Sequence, residues 1–119
     1  MLLVEDEPLV REAARAALQR SGYRVLAAES VPDALRLARD DESRIDLLLT
    51  DVVMPGLDGR SVAREVLKLR PELRVLFMSG YADDAIVSHG IIDSSIAFIE
   101  KPFTQERLAR KIHEVLSAP

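Results

Sequence analysis

The sequence predicts an α/β fold: a doubly wound, five-stranded parallel sheet of (βα)5 type in three layers, with helices on both faces. Three observations predict it. Short apolar runs alternate with stretches of helical periodicity from one end of the chain to the other. The runs open near Leu2, Arg24, Asp46, Arg74 and Ile96, at spacings of 22, 22, 28 and 22 residues, about what a strand and a returning helix require. The middle runs, Val25 to Ala28, Leu47 to Leu49 and Val75 to Met78, are nearly continuous in apolar residues, as expected where both faces of a strand are covered. At 119 residues the chain has the size of one domain, with core enough to dispense with a disulfide or a structural metal.

The first strand opens directly after Met1, which reads as a domain edge cut from a longer protein. After it, Leu9, Val10, Ala13, Ala14, Ala17 and Leu18 recur at three- and four-residue steps, a predicted amphipathic helix that leaves Arg11, Arg15 and Gln19 on its opposite side and stops at Gly22. Ser30 is the expected N-cap of a second helix with the stripe Ala34, Leu35 and Ala38. Val62, Ala63, Val66 and Leu67 mark a third. A short helix at about 83–89 is predicted next, followed by a loop, because Gly90, Asp93, Ser94 and Ser95 break the pattern. Thr104 is the expected N-cap of a last helix striped by Leu108, Ile112, Val115 and Leu116, and Ser117-Ala118-Pro119 reads as the start of a linker.

Composition narrows the function. Without cysteine there is neither thiol chemistry nor a cysteine-ligated zinc. Sixteen Lys+Arg against 20 Asp+Glu give a formal charge of −4, which argues against a nucleic-acid surface, and the absence of Trp removes the best base-stacking platform. The apolar runs are far shorter than the ~20 residues that span a bilayer, and no signal peptide opens the chain, so no membrane contact and a cytoplasmic location are expected. The five glycines, at 22, 56, 59, 80 and 90, fit neither of the Gly-rich phosphate-cradling patterns of nucleotide-binding enzymes.

Open α/β sheets of this kind bind ligands beyond the carboxyl ends of their strands. The residues there are Glu5-Asp6 after the first strand, Asp51 after the third, Ser79 after the fourth and Lys101-Pro102 after the fifth. Two carboxylates ~4 Å apart repel by about 4 kcal/mol at an effective dielectric of ~20, so an acidic crevice calls for a cation. Oxygen donors alone favour Mg²⁺, with Mn²⁺ as the alternative, and Mg²⁺ leaves positions open for phosphate oxygens. Asp51, ionised at neutral pH, is then placed to attack phosphorus, with Lys101 and the cation offsetting the gathering charge and the Ser79 hydroxyl donating to a phosphoryl oxygen.

With these residues in place, the chain resembles the receiver domain of two-component response regulators over essentially its whole length, 1–119. Four segments carry the resemblance in order: Leu2-Leu3-Val4-Glu5-Asp6-Glu7-Pro8, Leu49-Thr50-Asp51-Val52-Val53-Met54-Pro55-Gly56-Leu57-Asp58-Gly59, Met78-Ser79-Gly80-Tyr81 and Phe98-Ile99-Glu100-Lys101-Pro102-Phe103. The resemblance implies a flavodoxin-like sheet of order 2-1-3-4-5. It implies Asp51 as phosphoacceptor, Asp6 as the main acidic metal ligand, Glu5 acting mostly through a metal-bound water, and the Val53 backbone carbonyl as a further ligand. Ser79 and Lys101 match the phosphate-contacting hydroxyl and lysine, Phe98 falls at the switch position, and the Lys101-Pro102 bond is expected to be cis, at a cost of about 0.5 to 1 kcal/mol.

The implied function is a phosphorelay module that takes a phosphoryl group from a histidine kinase or a histidine phosphotransfer protein, with no enzymatic activity beyond its own Asp51. Phosphorylation would change a partner-binding surface. A second copy is a further expected partner, through the predicted fourth helix, fifth strand and fifth helix. The wording of the segments from Leu76 to Tyr81 and from Ala97 to Phe103 is most similar to receivers fused to hybrid sensor histidine kinases. Two positions depart from the commoner pattern. Glu5 stands where Asp is usual, one methylene longer. Val53 and Tyr81, two residues beyond Asp51 and Ser79, occupy positions that tune hydrolysis, and an apolar side chain with a bulky ring there implies slow dephosphorylation.

Plainer readings accompany these. An isolated acidic triplet Glu5-Asp6-Glu7 is usually a solvated loop, Phe98 alone is a core aromatic, Ser79-Gly80 alone a turn, and Asp58 a turn or helix-cap residue. His89 and His113 lack paired metal-ligand spacing. The competing function is a degenerate receiver that binds partners constitutively. A complete acid, hydroxyl and lysine set weighs against it.

Overall fold

In the computed structural model, residues 1–40, 45–51, 53–54, 57–79, 97–100 and 103–117 are described. The elements run β1 (Leu2–Val4), α1 (Pro8–Arg20), β2 (Leu26–Ala28), α2 (Val31–Ala38), β3 (Leu47–Asp51), β4 (Val53–Met54), β5 (Leu57–Asp58), α3 (Gly59–Leu69), β6 (Arg74–Ser79), β7 (Ala97–Glu100) and α4 (Gln105–Ser117). The predicted helix at 83–89 lies outside the described residues. Five strands form one sheet in the order β2-β1-β3-β6-β7, and every neighbouring pair is parallel. Counted by the strands of that sheet alone, this is 2-1-3-4-5.

Alternation along the strands divides the core in two. Leu2, Val4, Ala28, Leu48 and Phe77 pack with Ala34 and Ala38 of α2 and Val62 and Val66 of α3. Leu3, Leu47, Leu49, Leu76, Met78 and Ile99 pack with Ala14 and Leu18 of α1 and Leu108 and Ile112 of α4. Both sets are buried, which is why the strand runs are continuous in apolar residues.

The helix ends follow local chemistry. Ser30 Oγ accepts from the Asp33 N–H at 3.3 Å, and Thr104 Oγ1 from the Arg107 N–H at 3.1 Å, so both act as N-caps. The Arg36 guanidinium beside Asp33 holds its carboxyl below the usual carboxylate range, and a backbone hydrogen bond at Glu29 adds to this. At the end of α1 the Gly22 N–H reaches the Gln19 carbonyl at 3.0 Å and the Tyr23 N–H reaches the Leu18 carbonyl at 3.1 Å, a Schellman stop with Gly22 at φ 94°. Tyr23 packs beside the Leu18 cluster, the apolar contact that accompanies this motif. Beyond α3, Arg70 Nε donates to the Ala38 carbonyl at 3.0 Å and Nη2 donates to the Asp40 carbonyl, tying the ends of α2 and α3 together.

The α1 stripe needs correction. Its buried line is Ala14 and Leu18 with Val10 and Ala17 half-buried, whereas Ala13 is exposed and Leu9 is 82% exposed. At 100° per residue Leu9 stands about 140° around the helix from Ala14, outside the seam. Arg11, about 60° from Ala14, is correspondingly not on the solvent side.

A Cβ added at Gly22 would meet nothing within 4 Å, so its substitution tests backbone conformation alone. Gly22→Ala is expected to lower stability by about 1 kcal/mol in urea unfolding with an unchanged m-value.

Candidate functional site

Parallel register assembles the carboxyl edge. Val4 pairs with Thr50, so Glu5 and Asp51 follow at the same level on neighbouring strands. Asp51 pairs with Met78, and Ser79, the next residue, pairs with Glu100. The edge of β3, the central strand, thus carries Asp51, flanked by the acidic turn after β1 on one side and by the end of β6 on the other.

Glu5 is held through its N–H, its side chain and its carbonyl. Its N–H donates to the Ala28 carbonyl at 3.1 Å, its Oε1 accepts from the Glu7 N–H at 3.1 Å, and its carbonyl accepts from Arg11 Nη1 at 3.0 Å. Glu7 is the N-cap residue of α1, with Pro8 opening the helix, and its carbonyl accepts from the Arg11 N–H at 2.9 Å. At the other wall, the Thr50 hydroxyl donates to the Asp51 carbonyl at 3.2 Å.

Carboxylate oxygens of Glu5, Asp6 and Asp51 lie within 4.8 Å of one another. Glu5 and Asp51 are 1% and 3% exposed, while Asp6 stands at the open side. Three ionised carboxylates at this spacing repel by about 3 kcal/mol per pair at an effective dielectric of ~20. Their donor set, oxygen alone with one solvent-facing member, fits a hard divalent cation that keeps some of its waters. The longer side chain at Glu5, itself buried, still brings an oxygen into the group.

The remaining predicted residues fall as follows. Ser79 ends β6 at this edge. Val53 opens β4, two residues past Asp51, and its backbone pairs antiparallel with Asp58, which stands immediately before α3, the place of a turn or cap residue. Phe98 is half-buried in β7, in register with Phe77 and packed against the α2–α3 side of the core. Tyr81, Lys101, Pro102 and His89 lie outside the described residues, and His113 is exposed on α4. Sequence reasoning missed the β4–β5 hairpin, whose signal was Pro55-Gly56 between apolar residues. It also missed the contact of Arg11 with the acidic turn, for which the helical stripe gave no signal.

A family model for the response regulator receiver domain matches residues 1–113. The chain belongs to the response regulator receiver domain family. It is 40% identical over 116 residues to the sensor kinase CckA of Brucella abortus, covering 98% of this chain but 12% of that kinase. It is 32% identical over 118 residues to the response regulator receiver protein CpdR of the same organism, covering 99% of this chain and 97% of CpdR. Among solved structures, the receiver domain from the hybrid histidine kinase CckA superposes with a TM-score of 0.80 at 34% identity, covering 98% of this chain and 97% of that one. The chain is therefore about as long as a free-standing receiver relative, and about an eighth of its kinase relative. Receiver domains work with histidine kinases in two-component systems, and this receiver carries an acidic cluster able to hold a metal ion. Among the described residues, no helix is long and apolar enough to cross a membrane.

Cation binding should register in stability. Mg²⁺ at a hundred times its dissociation constant is expected to stabilise the receiver by about 2.7 kcal/mol in thermal unfolding. Asp51→Asn, which removes one carboxylate from the cluster, is expected to shrink the Mg²⁺-induced shift.

Proposed function

We propose that this receiver accepts a phosphoryl group from a phosphohistidine onto Asp51, and that the modification alters the surface it offers to partners. The observation that carries the reading is the buried Asp51 carboxylate at the end of the central strand, gathered with Glu5 and Asp6 within 4.8 Å. An Asp51 oxygen attacks phosphorus, the phosphorus–nitrogen bond breaks, and the imidazole of the donor leaves with the electron pair and takes up a proton. Asp6 and Asp51, with Glu5 through a water and the Val53 backbone carbonyl, would hold Mg²⁺, with Mn²⁺ as a substitute. The cation supplies charge neutralisation for the transferring phosphoryl oxygens.

In the same reading, the Ser79 hydroxyl and the Lys101 ammonium bind phosphoryl oxygens, with a cis bond before Pro102, and Phe98 moves in response to the new charge. The whole of 1–119 acts as one receiver unit in the cytoplasm. The phosphodonor is a histidine kinase or a histidine phosphotransfer protein, and the similarity to a hybrid kinase receiver favours fusion to kinase domains. β7 and α4, with the predicted helix at 83–89 that lies outside the described residues, are the candidate contact with a second copy.

Acetyl phosphate and Mg²⁺ are expected to add about 80 Da to the intact protein by mass spectrometry, and Asp51→Asn to abolish the gain. An unmodified parent, or a gain that persists in the variant, would overturn the assignment and favour a constitutive binding module. Val53 offers no polar group to orient an attacking water. Val53→Asn is therefore expected to speed loss of the phosphoryl group by several-fold in Mg²⁺ buffer, followed by the decay of the phosphorylated mass.

A further inference from the structure

Arg11 has no part in the chemistry above, yet it touches the acidic turn. Its Nη1 donates to the Glu5 carbonyl at 3.0 Å, and its Nη2 stands 4.0 Å from a Glu29 carboxylate oxygen just beyond β2. The Arg11 side chain is 16% exposed and that of Glu29 is 71% exposed. The exposed pair at that distance contributes little, so the bond to the carbonyl is the consequential one.

That carbonyl belongs to the planar peptide unit joining Glu5 to Asp6. Holding it sets the direction in which Asp6 leaves β1. Other bonds of Glu5 fix Glu5 itself: its N–H donates to the Ala28 carbonyl and its Oε1 accepts from the Glu7 N–H. Asp6 is the exposed member of the cluster, and the peptide plane clamped by Arg11 is its link to the sheet.

We propose that Arg11 is a positioning residue for the cation site, its guanidinium clamping the Glu5–Asp6 peptide so that the Asp6 carboxylate stays gathered with Asp51. This rests on the reading of the acidic cluster as a Mg²⁺ site. Electrostatics gives the proposal a sign. Removing a positive charge beside a cation site would, by Coulomb's law alone, tighten cation binding. Weaker binding on removal therefore reports position and not charge.

Isothermal titration of the whole chain with MgCl2 tests this. Arg11→Met, which keeps the apolar stem and loses every donor, is expected to raise the Mg²⁺ dissociation constant about tenfold. Arg11→Lys, which keeps the charge and a donor, should come within about threefold of the parent, and Glu29→Gln within about twofold. Should Arg11→Met fold poorly by circular dichroism, Arg11→Gln, whose amide is too short to reach the carbonyl, carries the same expectation. Phosphoryl loading from acetyl phosphate should fall in Arg11→Met at Mg²⁺ near the parent's dissociation constant and return to the parental level at saturating Mg²⁺. Unchanged or tighter Mg²⁺ binding, or a loading defect that saturating Mg²⁺ leaves in place, would overturn the positioning role while the parent still binds and loads. A parent that neither binds Mg²⁺ nor takes up phosphoryl would bring down the reading of the site, and this inference with it.

Discussion

Parallel pairing of β1 with β3 is the constraint on which the carboxyl edge depends. It sets Glu5 level with Asp51, and it is enforced from both sides because Leu2 and Val4 face one core while Leu3 faces the other. A slip of one residue would exchange those faces and carry the acids away from each other, so the apolar residues beneath the site hold its geometry. The same core keeps Glu5 and Asp51 out of solvent, in the environment where their mutual repulsion is felt most.

That repulsion links stability to function. A fold that relied on the site for its stability would not bury two carboxylates beside a third. Here the apolar packing carries the fold, and the edge gathers three carboxylates that could hold a metal ion. The hydrogen bonds around Glu5 hold the backbone in place while the carboxylates repel. Family membership and this geometry agree: Asp51 and Ser79, from two of the segments that resemble a receiver, end their strands at the edge where Glu5 and Asp6 follow β1.

Much of this was legible in the residues. Strand positions followed from apolar runs, with β2 beginning at Leu26 a little later than the run from Arg24 suggests. Ser30, Thr104 and Gly22 each announced a helix boundary through their own chemistry. Glu5, Asp6 and Asp51 could be placed together from topology alone, since each follows a strand of one parallel sheet. Less legible was the α1 seam. Six apolar residues in nearly three turns span more of the helix than one sheet face covers, so the stripe could not say that Ala14 and Leu18 are buried and Leu9 is not. The role of Arg11 was hidden for the same reason, since a long side chain on the flank of a seam can bend toward either side. The β4–β5 hairpin is too short to show a period.

The bridge from Arg70 to the carbonyls of Ala38, which ends α2, and of Asp40 just beyond it lies at the opposite rim of the sheet from the acids, because a helix that returns between parallel strands ends where the next strand begins. It pins α2 and α3 at that rim. The layer is thereby held at the rim farthest from the acids, by hydrogen bonds separate from the charged edge.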